Sequence, residues 1–465
     1  MVFECHHMDK FGFANLDYID EIQEKENKAV VLIAGASSSG KSYAASFLNK
    51  LLSNYHHHPL TLSLDSYNVG LSGIIPNKVN LNFFNNSIEN ISEISAKIKK
   101  IIYNVPFENK FSDNVLKQIE IGIKDLIDEK DLKKFIEGLK AEWNRVNFDE
   151  PSVYNMKEAY EDILKLLENK KIKEKKYSKV YSERLPMKKT IDGNKYDVII
   201  IEGIYALDNS FIDLFKQSNK SIITNFVDGD AKSLFLRRVI RDKRFTSANS
   251  IFTIQLYFKY ILKAYYETIL PSRENADIIL NNDMTFIELT NGELYLTKDE
   301  ISTEDKNIYS YLKKFGQIKE TIYQKDIYFV TKNENESKYK NNILRFRLIS
   351  DDEGKTYHPS SLVHKGNIKL RKDNKIIRPI NILLSEEEIG KVWKDEQSCI
   401  NDFIYAGFIV GKIEKKIKTK LVYNSQAITL KEFEGVGSYI EFNTPYNYKT
   451  IQSIKKMIEN KEYKQ

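Results

Sequence analysis

Eight consecutive residues, Gly35-Ala36-Ser37-Ser38-Ser39-Gly40-Lys41-Ser42, carry the spacing G-x-x-x-x-G-K-S. A chain that wraps a phosphate must keep side chains out of the wrap, so Gly35 and Gly40 sit where a Cβ would obstruct the backbone. The loop N–H groups then converge on phosphate oxygens. Lys41 can reach the β/γ-phosphates of a nucleotide, and the Ser42 hydroxyl can ligate Mg²⁺. A carboxylate follows at Asp65, after the apolar run Leu60 to Leu64. At a strand's carboxyl end it could take the proton of an attacking hydroxyl, organise Mg²⁺ or cap a turn. Glu202 stands at the end of the apolar run Val198 to Ile201, placed to hold Mg²⁺ through water. Arg237-Arg238-x-x-Arg241-Asp242-x-Arg244 puts arginines on one helix face, where they could meet the charge of a transferring phosphoryl group.

These groups need elements to position them. Ala29 to Ala34 is an apolar run that predicts a strand before the loop. Ala44, Phe47, Leu48 and Leu51 predict a helix after it, whose N-terminus favours anions. Val198 to Ile201 predicts a strand buried on both faces, and strands at 221–227 and 277–280 complete an alternation with helices. The reading is a doubly wound α/β domain with a parallel sheet over residues 29–284, after a polar lead-in at 1–28. Residues of about 69–145 lack any chemical motif and read as an inserted helical module. From 285 to 465 helical periods become scarce and short alternating strands take over, predicting a mainly antiparallel second domain.

Composition narrows the classes. At 465 residues, two or three domains are expected, and a hydrophobic content of 42% supports real cores. The net charge of +6, spread over 71 basic and 65 acidic residues, gives no clustered footprint for nucleic acid. Cys5 and Cys399 cannot build a disulfide framework, and no apolar run approaches a membrane span. The expectation is a cytoplasmic protein without a membrane partner. Cys5-His6-His7 reads as a mobile terminus and His56-His57-His58 as a polar loop.

The ordered series from the phosphate loop through Asp65-Ser66-Tyr67, Asn147-Phe148-Asp149-x-Pro151, Glu202-Gly203-Ile204-Tyr205, Arg237-Arg238-Val239-x-Arg241-Asp242 and Pro271-x4-Ala276-Asp277 resembles the uridine kinase family. It covers residues from about 29 to 282. The resemblance implies transfer of the ATP γ-phosphate to a small-molecule hydroxyl such as a nucleoside's. Asp65 would be the base, with Lys41 beside it. Asp149, Tyr177 and Arg184 would bind the acceptor, Ser42 and Glu202 would hold Mg²⁺, and Arg238, Arg241 and Arg244 would form a lid. Two departures stand out: the 69–145 insertion, and Ser182 where the family carries a base-reading histidine.

In the second domain, Tyr323-Gln-Lys-Asp-Ile-Tyr-Phe329, Leu344-Arg345-Phe346-Arg347, Lys365-Gly366, Arg378, Lys412 and Ser438-Tyr439-Ile440-Glu441 resemble the CYTH, or triphosphate tunnel, domain. The two domains in this order resemble the plant-type triphosphate tunnel metalloenzymes. That implies phosphate or nucleotide binding by Arg345, Arg347, Lys365, Arg378, Lys412 and Glu441. The family's metal-binding acids have no clean match near Ile287 to Glu293, and Arg378-Pro379-Ile380-Asn381-Ile382 lacks the pair expected there. Binding is therefore expected ahead of hydrolysis. The alternatives kept open are a tri- or pyrophosphatase or cyclase-like second domain with a regulatory kinase domain, and a non-enzymatic nucleotide sensor. A homo-oligomer also stays open.

Overall fold

The apolar run before the loop becomes a strand, Ala29–Gly35, with all seven residues buried. In this computed structural model the described residues are 2–282, except 87, 144, 186, 188 and 246–249. They continue at 293–442, except 297–298, 304–305, 332–342, 367–368, 371–375, 424–425 and 436, with 456 and 460 beyond. The chain divides into two compact units, Met1–Met284 and Thr285–Gln465.

The first unit is built on six strands: β1 (Phe3–Cys5), β2 (Ala29–Gly35), β3 (Pro59–Ser63), β4 (Val198–Glu202), β5 (Ile222–Asp228) and β6 (Ile278–Asn281). Their order is β1-β6-β5-β2-β4-β3, and every neighbouring pair is parallel. Both faces are covered, which is why β2 is apolar throughout and β4 is apolar up to its terminal Glu202. The helices that matter for the site are α1 (Met8–Gln23), α2 (Lys41–Asn54), an inserted set α3 (Leu71–Phe83), α4 (Ile91–Ile102), α5 (Asp113–Ile123) and α6 (Glu129–Trp143), and α7 (Ala231–Phe245). The inserted four share a core of their own that includes Ile75, Val79, Ile98, Ile119 and Phe135.

One expectation is corrected here. Residues 1–28 are not a lead-in: Phe3–Cys5 pairs with Ile278–Leu280 at the sheet edge, and α1 packs on the sheet through Phe11, Leu16 and Ile19. The amides of Asn15 and Asn225 exchange buried hydrogen bonds of 2.9 and 3.0 Å, pinning α1 to β5. A three-residue strand is too short to show its period in the sequence, which hid this piece. Cys5 is accordingly buried, not mobile.

The second unit contains β7 (Glu293–Leu296), β8 (Asp299–Thr303), β9 (Gln317–Val330), β10 (Ile343–Ser350), β11 (His358–Lys365), β12 (Lys369–Leu370), β13 (Ile376–Leu384), β14 (Ile409–Tyr423), β15 (Gln426–Phe433) and β16 (Gly437–Phe442). They form one antiparallel sheet in the order β7-β13-β11-β10-β9-β14-β15-β16-β8, with β12 against β13. Alternation splits the chemistry of β9 and β10 between two faces. Ile327, Phe329, Leu344 and Phe346 are fully buried on one, where Phe329 stacks on Phe403 at 4.2 Å and Phe346 meets Trp393 edge-on. The other face carries Asp326, Arg345 and Arg347. No helix among the described residues is long and apolar enough to cross a membrane.

Candidate functional site

The phosphate loop turns on three left-handed residues: Gly35 (φ 144°), Ser38 (φ 68°) and Gly40 (φ 104°). A Cβ on Gly35 would stand 2.2 Å from the Val227 carbonyl oxygen, and one on Gly40 would stand 2.3 Å from Asn282 Nδ2. Both glycines are therefore required by conformation and by space. Asn282 Nδ2 donates to the Ser39 carbonyl at 2.7 Å, and Arg237 Nη1 donates to the carbonyls of Ser39 (3.2 Å) and Asn282 (3.0 Å). These two side chains brace the loop from outside its motif. The Ser38 and Ser39 hydroxyls are buried without a hydrogen-bond partner, and Ala36 is buried beside them. Ser42 is exposed in the first turn of α2. Orphaned hydroxyls in a loop at a helix N-terminus suit a phosphate's acceptor oxygens.

Lys41 is buried and donates to the Ala36 carbonyl at 2.8 Å. Burial pushes its ammonium down to about 8, against the opposing pull of Glu202 and Asp65. Asp65 lies in a short 3-10 turn, Leu64–Tyr67, directly after β3. Burial works to raise its carboxyl, but Lys179, Lys41 and Arg241 outweigh that and hold it below the usual carboxylate value. Lys179 Nζ is 3.1 Å from Asp65 Oδ2. Glu202, at the end of β4, is pushed up by burial and by the charge of Asp65. The carboxyl ends of β2, β3 and β4 thus bring one cation and two mutually repelling carboxylates together. Among the described residues no group of three or more His, Cys, Asp or Glu could hold a metal. The Ser42 hydroxyl and Glu202 nevertheless fit a Mg²⁺ that arrives on a nucleotide, because a divalent cation would relieve the repulsion between Glu202 and Asp65.

The Lys41 value has a measurable consequence. Its ammonium is present below about 8 and lost above it, so the loop's affinity for a nucleotide's phosphates is expected to fall as pH rises from about 7 to about 9. Calorimetric titration at fixed Mg²⁺ checks this, and an affinity that stays flat across the range would contradict it.

The arginines of α7 divide between the loop and the acceptor-side residues. Arg238 is buried; its Nη1 donates to Asp149 Oδ2 at 2.7 Å, and its Nε lies 3.5 Å from Asp242. It braces Asp149. Arg241 does reach the loop, with Nη1 donating to Ser37 Oγ at 3.3 Å, and it also pairs with Asp242. Arg237, passed over in the motif, is the arginine on the loop carbonyls. The side chain of Arg244 lies outside the described residues. Asp149 is buried and held in an Asx turn by Asn147. Tyr177 and Arg184 face each other across the antiparallel pair Lys176–Ser178 and Glu183–Leu185. Arg184 Nη1 donates to Glu158 at 2.9 Å, while its Nε and Nη2 are buried without partners. Ser182 adopts a left-handed φ of 48°, and its hydroxyl turns back to the Lys179 carbonyl at 3.4 Å.

On the charged face of the second unit, Asp326 is fully buried. Arg347 grips it in a fork (Nε–Oδ1 2.8 Å, Nη2–Oδ2 3.0 Å), Lys416 Nζ donates at 2.8 Å, and Arg345 Nη1 lies 3.6 Å away. Burial opposes ionisation of Asp326, but Arg347 and Arg345 hold the carboxyl far below its usual value. Burial and the neighbouring Arg347, Lys416 and Lys431 push Lys418 down to about 7. Glu441 is buried against Lys431. Lys412 is half exposed and donates to Glu414 at 2.8 Å, and Lys416, two pleats along, enters the cluster around Asp326. Lys365, half-buried, shares the face of Arg345 by register. The side chain of Arg378, residues 287–292 and the side chain of Glu293 lie outside the described residues. Alternation from Arg345 and Arg347 across the β9 register would have pointed to Asp326, which the quoted motif already contained.

A parallel sheet with a phosphate loop after its central strand and acids at the neighbouring carboxyl ends defines the class of phosphate-loop α/β proteins. Residues 92–285 match the family described as "Phosphoribulokinase / Uridine kinase family". A uridine kinase of Saccharomyces cerevisiae is 33% identical over 138 residues, covering 30% of this chain and 26% of that protein. One from Macrococcus caseolyticus is 30% identical over 137 residues, covering 29% of this chain and 63% of that protein. The chain thus spans between a quarter and just under two thirds of these relatives' length. A structure described as a "Possible Uridine Kinase" from Bacillus stearothermophilus aligns at 14% identity and TM-score 0.28, covering 57% of this chain and 99% of that one.

Proposed function

We propose that the first unit is an ATP-dependent phosphotransferase of the uridine or nucleoside kinase kind, moving the γ-phosphoryl group of ATP to the hydroxyl of a small acceptor. The observation that carries this reading is the convergence of Lys41, Asp65 and Glu202 beside the loop Gly35 to Ser42. A loop and a lysine alone would serve any nucleotide-binding protein. A carboxylate held ionised next to them supplies the proton acceptor that transfer to an alcohol needs.

In this reading the loop N–H groups and Lys41 hold the donor phosphates, and Asp65 accepts the proton of the acceptor hydroxyl. Mg²⁺, carried by Ser42 and by Glu202 through water, would neutralise charge on the β- and γ-phosphates. Arg241, beside Ser37, stabilises charge spreading onto the transferring oxygens. Arg238 takes Oδ2 of Asp149, which presents Oδ1 to a diol on the acceptor, and Tyr177 and Arg184 form the other wall. The acceptor's base has no histidine to meet at Ser182, so a nucleoside is one member of the acceptor class and the hydroxyl is its defining group.

For the second unit the reading is phosphate or nucleotide binding on the face of Arg345, Arg347 and Lys416. A hydrolytic or cyclase-like role is the second reading. It is favoured by one observation: Asp326, Glu414 and Glu441 set carboxylates among those cations.

The test is one incubation with γ-labelled ATP, Mg²⁺ and a panel of nucleosides and other small alcohols. Label entering a phosphorylated acceptor, and lost in Lys41→Ala, is the expected result. Free phosphate that persists in Lys41→Ala but vanishes in Arg345→Ala would move the activity to the second unit. Nucleotide binding with neither product would leave a sensor.

A further inference from the structure

The inserted helices touch the acceptor side through a short turn and through the start of α3. Phe107–Asn109 forms a single 3-10 turn between α4 and α5. Phe107 packs against Phe148, the neighbour of Asp149, with ring centroids 5.7 Å apart. Its backbone N–H donates to the Val180 carbonyl at 2.9 Å. Three residues on, Lys110 Nζ meets Glu183 Oε1 at 2.8 Å, and neither side chain has any exposed surface. Ser72, from α3, donates to the same carboxylate through its backbone N–H (3.0 Å) and its hydroxyl (2.8 Å), and Leu71 N–H donates to the Ser182 carbonyl at 3.0 Å. Val180, Ser182 and Glu183 all lie on the hairpin Lys176–Leu185, which also carries Lys179 against Asp65 and Tyr177 opposite Arg184.

Such a pair is an expensive way to hold a loop. Two charges without solvent are tolerated only when each is matched, and removing one strands the other. Apolar packing would have served if the contact were only a seam between helices. A charge-matched grip at the hairpin's second strand fixes position in all directions, because Glu183 accepts from three donors at once. The consequence falls on the residues between and beside it: Lys179, Ser182 and Arg184.

We propose that the inserted module is a working part of the acceptor site: through Lys110 and Glu183 it sets the hairpin that lays Lys179 against the base Asp65, making Lys110 a positioning residue for phosphoryl transfer. This rests on the kinase reading above. Lys110 touches neither donor nor acceptor. Its effect passes through Glu183 and the hairpin backbone to the acceptor half, and the loop that binds ATP is braced separately, by Arg237 and Asn282.

The two halves of the site therefore respond differently to substitution. In the full-length chain, Lys110→Met is expected to raise the KM for the acceptor by tenfold or more and to lower kcat, with the KM for ATP within twofold of the parent. Ser72→Ala, which removes one of three bonds to Glu183, is the milder variant and should raise the acceptor KM two- to fivefold. Calorimetric binding of an unhydrolysed ATP analogue confirms that each variant is folded. Hydrogen exchange at residues 177–185 should speed up in both while exchange across β2 stays unchanged. If the parent transfers label and both variants keep its acceptor KM, the positioning role is wrong and the kinase reading stands. A folded parent that transfers no label to any alcohol defeats the kinase reading, and the positioning role with it.

Discussion

Asp65→Asn is expected to lower the kcat of phosphoryl transfer by about 10²–10⁴-fold, the usual worth of a positioned general base. That corresponds to about 3–5 kcal/mol of barrier. The substitution keeps the size of the side chain and an oxygen for Lys179, which stands 3.1 Å away, so the fold should survive it. It removes the charge that Lys179, Lys41 and Arg241 hold in place. ATP affinity should change by a few fold at most, since the phosphates are held by loop N–H groups and Lys41. Single-turnover transfer and analogue binding, measured on the same preparation, separate the two effects. Unchanged kcat would remove Asp65 from the chemistry; a matched loss of binding would make it part of the nucleotide site.

The second large effect belongs to the other unit. Asp326→Leu should destabilise it by about 3–5 kcal/mol, because a buried carboxylate is taken from cations that stay buried. Arg347, Lys416 and Arg345 would face one another with no acid at their centre. The parent should also show the matching pH dependence. The Asp326 carboxyl is held far below its unfolded value of about 3.9, so its contribution is complete above about pH 5 and is lost as pH falls through the folded value. The chain has two tryptophans, Trp143 in the first unit and Trp393 in the second. In a Trp143→Phe background, Trp393 fluorescence during urea unfolding reports the second unit alone. A denaturation midpoint unmoved by Asp326→Leu would show that the cluster adds nothing to stability. Inorganic triphosphate should raise the midpoint of the parent and should act less on Arg345→Ala, as mass action requires of a ligand bound on that face.

How far these sites could be read from the sequence depended on distance along the chain. The phosphate loop was fully legible, because eight contiguous residues both shape it and use it. Asp65 and Glu202 were legible as acids at strand ends, since apolar runs mark strands and parallel sheets gather their carboxyl ends. The arginines were legible only as a group. A helical period says that Arg238 and Arg241 share a face; it does not say which one meets Ser37 and which is consumed by Asp149. The lysines of β14 were legible in the same limited way. Lysines 412, 416 and 418 all share one strand face, and only the register with β9, with its shift near Tyr328, decides which of them meets Asp326.

By itself, then, the sequence determined the local chemistry: a phosphate loop on a central strand, acids beyond two further strands, a helical insertion, and strands with paired basic residues after it. Those features are written in spacings of a few residues, which backbone geometry converts directly into a loop, a helix face or a strand face. The tertiary structure alone decided the partnerships. Cys5 closes the sheet against Leu280. Lys110 finds Glu183 and Lys179 finds Asp65. Asn282 holds the loop at Ser39. Each joins segments tens to hundreds of residues apart, where the chain's path through space, and no local period, sets which side chains meet.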